Sequence, residues 1–341
     1  MFSGRRLERM QASRQFRNGR FQNSGPMRRP MEGSSASLMG ELLFGGRKRI
    51  PKSPLPVENP VAIWSTAPET GLRVTWLGHS SVLIESDGVR ILTDPVFGGH
   101  ASPISFIGRK RFHPVPATLD EMLPLDAILL SHDHYDHLCK PTTRKIAKLG
   151  IPFITSLGVG ARLEKFGVDP QKITELDWWE SYTLPNRAMT LTATPAQHFS
   201  GRGLRDRNAT LWSSWVLATD KHNVFFSADT GLTDDLRLIA ERFGPFDLTM
   251  LEIGASHPAW ADIHLGPDNA LTAFRMLGGG TFMPIHWGTF DLALHSWEEP
   301  AETLVELTRK SGEHVITPPL GRPVEPSLVK GPTPWWREAG K

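Results

Sequence analysis

From about residue 55 onward, apolar residues either alternate with polar ones or fall in short runs, and that pattern predicts a succession of strands. Residues 73–77 and 81–85 have this character, and Ser86-Asp87-Gly88 supplies turn chemistry ahead of 89–93. Residues 126–130 (DAILL) have the length of a buried strand, and 189–194, 211–218, 223–226, 247–253 and 281–285 read the same way. A helical period marks 143–149, 160–166 (closed by Gly167), 234–243 (closed by Gly244), 268–277 and 299–310. Strand clusters separated by helices predict sheets covered by helices, an α/β architecture.

The two ends break this pattern. Within the first 40 residues Arg5, Arg6, Arg9, Arg14, Arg17, Arg20, Arg28 and Arg29 face only Glu8 and Glu32. Such a stretch lacks the apolar surface to offset its ordering entropy, so residues 1–45 are expected to be a mobile basic arm. An arginine-rich, acid-poor start also suits an organelle transit peptide, although a solvated arm is the plainer reading; Leu7-Glu8-Arg9-Met10-Gln11 is no secretory core. Residues 321–341 read as a proline-rich tail with little regular structure, which leaves 46–320 as the folded domain. The formal net charge of +2 gives no reason to expect bulk nucleic-acid binding. A single cysteine, Cys139, excludes an internal disulfide framework and favours a reducing, cytoplasmic setting. No run approaches the roughly 18 apolar residues of a spanning helix.

The chemistry concentrates in Ser131-His132-Asp133-His134-Tyr135-Asp136-His137-Leu138, between an expected buried strand and an expected helix. Alternate side chains of an extended segment point the same way, so His132 and His134 can converge on one cation. Once the chain turns, Asp136 and His137 are displaced towards a second position. Imidazole and carboxylate donors suit zinc and other first-row divalent metals. Three more residues follow expected strands: His198 in PAQH, Asp229 in SADTG and His286 in PIHWG. Strand ends of this kind gather on one edge of a scaffold, where loops carry chemistry.

These motifs resemble the metallo-β-lactamase superfamily and, within it, the N-acyl-phosphatidylethanolamine-hydrolysing phospholipase D family. The resemblance rests on Trp76-Leu77-Gly78-His79-Ser80, Leu92-Thr93-Asp94-Pro95-Val96-Phe97 and the His132–Leu138 loop. It continues through Gln197-His198, Ser200-Gly201-Arg202-Gly203, Asp229-Thr230-Gly231 and Ile285-His286-Trp287-Gly288-Thr289-Phe290, so it covers about residues 55 to 320. It implies an αββα sandwich, two packed mixed sheets with helices on the outer faces, and two zinc ions per chain. His132, His134 and His198 would hold one ion; Asp136, His137 and His286 the other; Asp229 would bridge. Asp94 resembles a support for the metal loop, and His79 is placed in the same outer layer. His264, in DIHLG, matches an activity-linked histidine that is not a ligand, assisting either leaving-group protonation or phosphate binding.

Two divalent ions about 3.5–4 Å apart can activate a shared water at neutral pH and stabilise charge on an attacked phosphoryl group. With that metal-activated hydroxide, the resemblance implies a phospholipase D-type phosphodiesterase in lipid metabolism. Lactones and carboxylic esters could meet the same nucleophile, so a lactonase or ester hydrolase of this fold stays open, as does a non-catalytic scaffold contacting membrane or nucleic acid. Arg202 could offer bidentate donors to a substrate phosphate, or serve a structural salt bridge. Cys139 reads as a packing residue, and the tryptophans read as core more readily than as a lipid surface. The expected partner is a phospholipid or other phosphodiester, with peripheral membrane contact and a homodimer both open and nucleic acid not expected.

Overall fold

The computed structural model describes residues 2–26, 48–102, 108–185, 189–257 and 262–339. The chain starts with helix Gly4–Ala12 and a hairpin of β1 (Phe16–Arg17) and β2 (Arg20–Phe21). β3 (Leu72–Gly78), β4 (Ser81–Ser86) and β5 (Val89–Thr93) then form an antiparallel meander. After a two-residue pair, β6 (His100–Ala101) and β7 (Arg109–Lys110), the chain adds β8 (Ala127–Leu130), β9 (Phe153–Ser156) and β10 (Ile173–Leu176), parallel to β5 and to one another. The second sheet repeats this logic. β11 (Ser181–Thr183), β12 (Thr190–Thr194), β13 (Ser214–Ala218) and β14 (Asn223–Phe226) are antiparallel, and β15 (Leu248–Glu252) and β16 (Thr281–Ile285) continue in parallel. Near the C-terminus β17 (Pro323–Val324) pairs antiparallel with β3 and becomes the edge of the first sheet.

Alternation of side chains explains the layering. In the first sheet Val74, Trp76, Ile84, Ile91, Leu129 and Ile154 share one apolar core with Leu191, Trp215, Leu217, Phe225, Met250 and Phe282 of the second. The opposite face, with Leu83, Leu92, Ile128 and Leu130, packs on Ile146 and Leu163 of helices Lys140–Ala147 and Gly160–Lys165. Helices Asp235–Phe243, Gly266–Met276 and Glu299–Ser311 cover the second sheet through Leu236, Ile239, Phe274 and Leu304. Both faces of each sheet are therefore dry, which is why β3, β4, β8, β15 and β16 are buried along their whole length. The expected tryptophan core is present: Trp76, Trp212 and Trp215 are fully buried. The architecture is the expected αββα sandwich.

Both termini depart from expectation. Residues 2–26 are no free arm: Met10 and Phe21 are wholly buried and pack with Leu157, Trp178, Leu211 and Trp212. Arg6 reaches Glu164 and Glu175, each at 2.6 Å, and Arg9 pairs with Glu180. The counter-charges come from distant sequence, so the composition of the arm by itself misjudged it. The rest of the expected arm, from residue 27, lies outside the described residues. The tail is anchored as well. Trp336 is buried edge-on to Trp287 at 5.2 Å, donates to Glu302 at 2.9 Å, and is joined there by Arg337 at 2.6 Å. Among the described residues no helix is long and apolar enough to cross a membrane.

Because Trp336 closes the main core, Trp336→Ala should destabilise the protein by about 3–5 kcal/mol. Chemical denaturation followed by tryptophan fluorescence would read this, and a change within experimental error would show that the tail only rests on the domain.

Candidate metal centre

The C-terminal ends of β3, β5, β8, β12, β14, β15 and β16 open on one edge of the sandwich and lead into His79, Asp94, His132–His137, His198, Asp229, Glu252 and His286. Three overlapping four-residue groups meet there, one of them Asp229, Glu252, His264 and His286. His132, His134, His198 and Asp229 each offer one donor atom, and these four atoms lie within 4.8 Å of one another; His79, Asp136, His137 and His286 do the same. Asp229 lies between these two groups. Its Oδ1 is 3.1 Å from His137 Nε2 and 3.0 Å from His286 Nε2, and its Oδ2 is 3.6 Å from His198 Nε2 and 3.9 Å from His132 Nε2. The seven residues named as ligands by the resemblance thus lie together, with Asp229 between the two groups and His79 added to the group of Asp136, His137 and His286.

The donor geometry fits divalent cations. Zinc–nitrogen bonds of 2.0–2.1 Å in a tetrahedron put neighbouring donors about 3.4 Å apart. Here His132 Nε2 is 2.8 Å and His198 Nε2 3.2 Å from His134 Nδ1, and Asp136 Oδ2 is 3.6 Å from His137 Nε2 and 3.5 Å from His286 Nε2. His137 Nε2, His286 Nε2 and Asp229 Oδ1 approach closely, yet they are buried with no hydrogen-bond partner. Lone pairs aimed at each other in a dry site are costly unless a cation stands between them.

Hydrogen bonds behind the ligands fix which nitrogen faces inward. His137 Nδ1 is 2.7 Å from Asp94 Oδ2, and His198 Nδ1 is 2.9 Å from the Ile263 carbonyl. Ser131 donates to Asp94 at 2.6 Å, so its oxygen is left to accept from His132 Nδ1 at 2.9 Å. Asp94, which is fully buried, therefore orients His137 directly and His132 through Ser131. His79 Nε2 meets Asp136 Oδ2 at 3.0 Å. Asp94 thus lies behind two of the histidines, and His79, which also belongs to one of the donor groups, lies against Asp136.

The charges tell the same story. Burial and the adjacent His286 push the His79 imidazole down to about 3, so it donates to Asp136 as a neutral ring. Burial works against the Asp136 and Asp229 carboxylates, but the adjacent His137 and His286 hold both well below the usual range. In return the carboxylates overcome burial at His286 and raise it to about 10. His132 and His198 shift the other way, down, because burial dominates. The half around Asp136 and Asp229 draws positive charge while the half around His132 and His198 offers neutral nitrogens, a donor set that fits metal cations.

One expectation needs revision, and the placement of His264 bears on another. Arg202 does not stand free for a substrate: its Nη1 donates to the carbonyls of Asp133 at 2.6 Å, His134 at 3.3 Å and Leu138 at 2.9 Å, and its guanidinium lies 3.9 Å over the Tyr135 ring. It braces the metal loop by capping carbonyls, and it makes no salt bridge among the described contacts. His264 sits at the rim, with Nδ1 2.8 Å from Glu252 Oε2 and its ring centroid 5.3 Å from that of His286. Burial and the charged His264 act on Glu252 in opposite senses, and burial wins, raising its pKa. Cys139 packs against Val96 and Phe290, as a small core residue would.

Sequence reasoning passed over Glu252 and Asp133. Glu252 ends β15 as the other site residues end their strands, and that shared placement was the available signal. It also accepts from Thr230 N at 3.0 Å and Leu265 N at 3.1 Å, tying three loops together. Asp133 lies between two converging histidines, so alternation turns it the other way. There it takes Arg162 at 3.1 Å and Gly201 N at 2.8 Å. Gly201 has φ +135°, and a Cβ there would meet the Arg207 backbone at 3.0 Å.

Comparison with known proteins agrees with this geometry. Residues 89–287 match the family model of the beta-lactamase superfamily domain. The chain is 41% identical over 306 residues to an uncharacterized protein of Mycobacterium tuberculosis, covering 88% of this chain and 80% of that one. It is 37% identical over 271 residues to N-acyl-phosphatidylethanolamine-hydrolyzing phospholipase D 1 of Caenorhabditis elegans, covering 76% of each. It is 34% identical to the mitochondrial enzyme of that name from Saccharomyces cerevisiae, over 73% of this chain and 54% of the other. In fold it resembles an isothiocyanate hydrolase from Delia radicum gut bacteria, with TM-score 0.61 and 18% identity over 74% of this chain and 98% of that one. The chain is a metal-dependent hydrolase that belongs to the metallo-β-lactamase superfamily and, within it, to the N-acyl-phosphatidylethanolamine-hydrolysing phospholipase D-like family.

Proposed function

We propose that this protein is a dinuclear zinc phosphodiesterase of phospholipase D type, which cleaves N-acyl-phosphatidylethanolamine or a related diester to phosphatidic acid and the N-acylethanolamine. The observation that carries this reading is Asp229, with one carboxylate oxygen turned to each of two histidine-rich donor sets. His132, His134 and His198 would hold one ion and Asp136, His137 and His286 the other. Such an ion pair, when bound, supplies Lewis acidity at a phosphoryl oxygen and an activated water at neutral pH. The choice of a phosphodiester over another substrate rests on the relatives named above.

The chain's own residues supply the rest. Asp94, Ser131 and His79 hold the donor side chains in one orientation. Glu252 fixes His264 through Nδ1 and leaves Nε2 for a substrate oxygen, where it can stabilise or protonate the leaving alkoxide. Arg202 keeps the metal loop closed from behind. Leu204 is fully exposed on the loop that follows, between Gly203 and the exposed Arg205. An apolar tip beside a cationic side chain suits a transient hold on an anionic lipid surface.

The reading is tested by metal analysis with product identification. Two zinc ions per chain are expected, with release of phosphatidic acid from N-acyl-phosphatidylethanolamine and at least about a 10³-fold loss of turnover in His132→Ala. Turnover of a lactone or carboxylic ester alone would overturn the phosphodiesterase assignment. His264→Gln should lower kcat by about 10²–10⁴-fold, the usual yield of acid–base assistance, with both metals retained. Parallel loss of metal would make His264 a ligand instead. Leu204→Asp should slow turnover of substrate in anionic vesicles several-fold and leave a soluble short-chain diester unaffected; equal rates on vesicles would remove the loop from membrane contact.

A further inference from the structure

The N-terminal segment ends on the metal site. After β2 the chain runs alongside the loop that carries His198, and Asn23 grips the backbone of that residue from both sides. Its Nδ2 donates to the His198 carbonyl at 2.9 Å, and its Oδ1 accepts from His198 N at 3.0 Å. The same Oδ1 takes Trp212 Nε1 at 3.1 Å, and that indole also donates to the Ala196 carbonyl at 2.9 Å. A side-chain amide thus completes the hydrogen bonding of a metal ligand's peptide much as a neighbouring strand would, although β12 has already ended at Thr194.

The grip extends over the loop. Phe21 N donates to the Asn208 carbonyl at 2.8 Å, and Arg20 reaches the carbonyls of Arg205 and Arg207. From the inner side the same loop is held by Asp133 through Gly201 N, and by Asp206, which Arg162 contacts at 2.5 Å. Residues 198–208 are therefore clamped between the metal loop and the N-terminal strap. The strap has its own anchors far from the metals: Met10 and Phe21 in a core with Trp178 and Trp212, and Arg6 and Arg9 on Glu164, Glu175 and Glu180.

We propose that Asn23 is a positioning residue for metal binding: the N-terminal strap, through Asn23, fixes the backbone of His198 and so sets the affinity of the ion held by His132, His134 and His198. This rests on the metal assignment above. His198 is the only ligand of that set from the second sheet apart from Asp229, and its Nδ1 contact to Ile263 fixes the ring but not the peptide that carries it. Outer contacts of this kind are typically worth 10–100-fold in metal affinity. Asn at position 23 matters because one planar amide must both donate and accept; Asp keeps only the acceptor, and Ala keeps neither.

The test uses the full-length chain and measures zinc affinity by chelator competition and the absorption of the cobalt(II)-substituted protein. Asn23→Ala should weaken one of two metal sites by about tenfold or more and change one of two cobalt signals. Asn23→Asp, which loses the donor alone, should fall between it and the parent. Arg9→Gln removes one distant ion pair while Met10, Phe21 and Arg6 still hold the strap, so it should leave both affinities and the spectrum unaltered. Unchanged affinity in Asn23→Ala would overturn the proposal, and so would equal losses in Asn23→Ala and Arg9→Gln, which would mean general loosening. A parent protein that binds no second ion would remove the functional reading and this proposal together.

Discussion

Asp229 stands between two sets of imidazole nitrogens in a region with almost no access to water, and most of what surrounds the site serves to keep it there. Asp229 lies 3.0–3.9 Å from four imidazole nitrogens, and how these donors and carboxylates balance turns on the positive charge placed among them, a proton on an imidazole or a metal cation. Contacts from behind add to this: Asp94 reaches His137, the Ile263 carbonyl reaches His198 and His79 reaches Asp136, each from a loop other than that of the side chain it meets, while Ser131 meets its neighbour His132. The cost of assembling like-disposed donors is spread over the whole sandwich edge, and the ordered core beneath is what makes it bearable.

The backbone records the same constraint. His79, Asp94 and His286 adopt left-handed conformations, with φ of 55°, 33° and 63°, which non-glycine residues rarely do. Such positions cost of the order of 1–3 kcal/mol each and persist where surrounding contacts over-determine them. Here His286 N donates to the His79 carbonyl at 3.0 Å, joining the end of β16 in one sheet to the end of β3 in the other. Asp94 N donates to the Leu129 carbonyl at 2.9 Å, across the β5–β8 pair. The two sheets are tied at the point where the two ligand sets meet.

How much of this was legible in the sequence follows from what each feature depends on. The apolar runs at 89–93, 223–226 and 281–285 became strands with those bounds, because burial on both faces leaves an unmistakable signal. β9, β10 and β11 carry Thr, Ser, Glu and Tyr in three or four residues, too short and too polar for a period to show. The candidate positions His132, His134, His198, Asp229 and His286 were readable because strand-end placement and alternation are local rules, whereas their division into two sets came from the family resemblance. Arg202 was misread because a guanidinium suits carbonyls as well as phosphates, and only the path of the metal loop decides between them. The N-terminal segment was misread because its partners, Glu164, Glu175 and Glu180, lie more than 150 residues away.

The last strand has a consequence beyond the core it covers. β17 is the outermost strand of the first sheet, and one of its two residues is Pro323, which carries no amide hydrogen. An unfinished sheet margin invites another chain to lengthen it, the route to fibrous association. A two-residue proline-bearing border offers too few ladder contacts for that, so the sandwich is sealed against sheet-to-sheet polymerisation on the side next to β3.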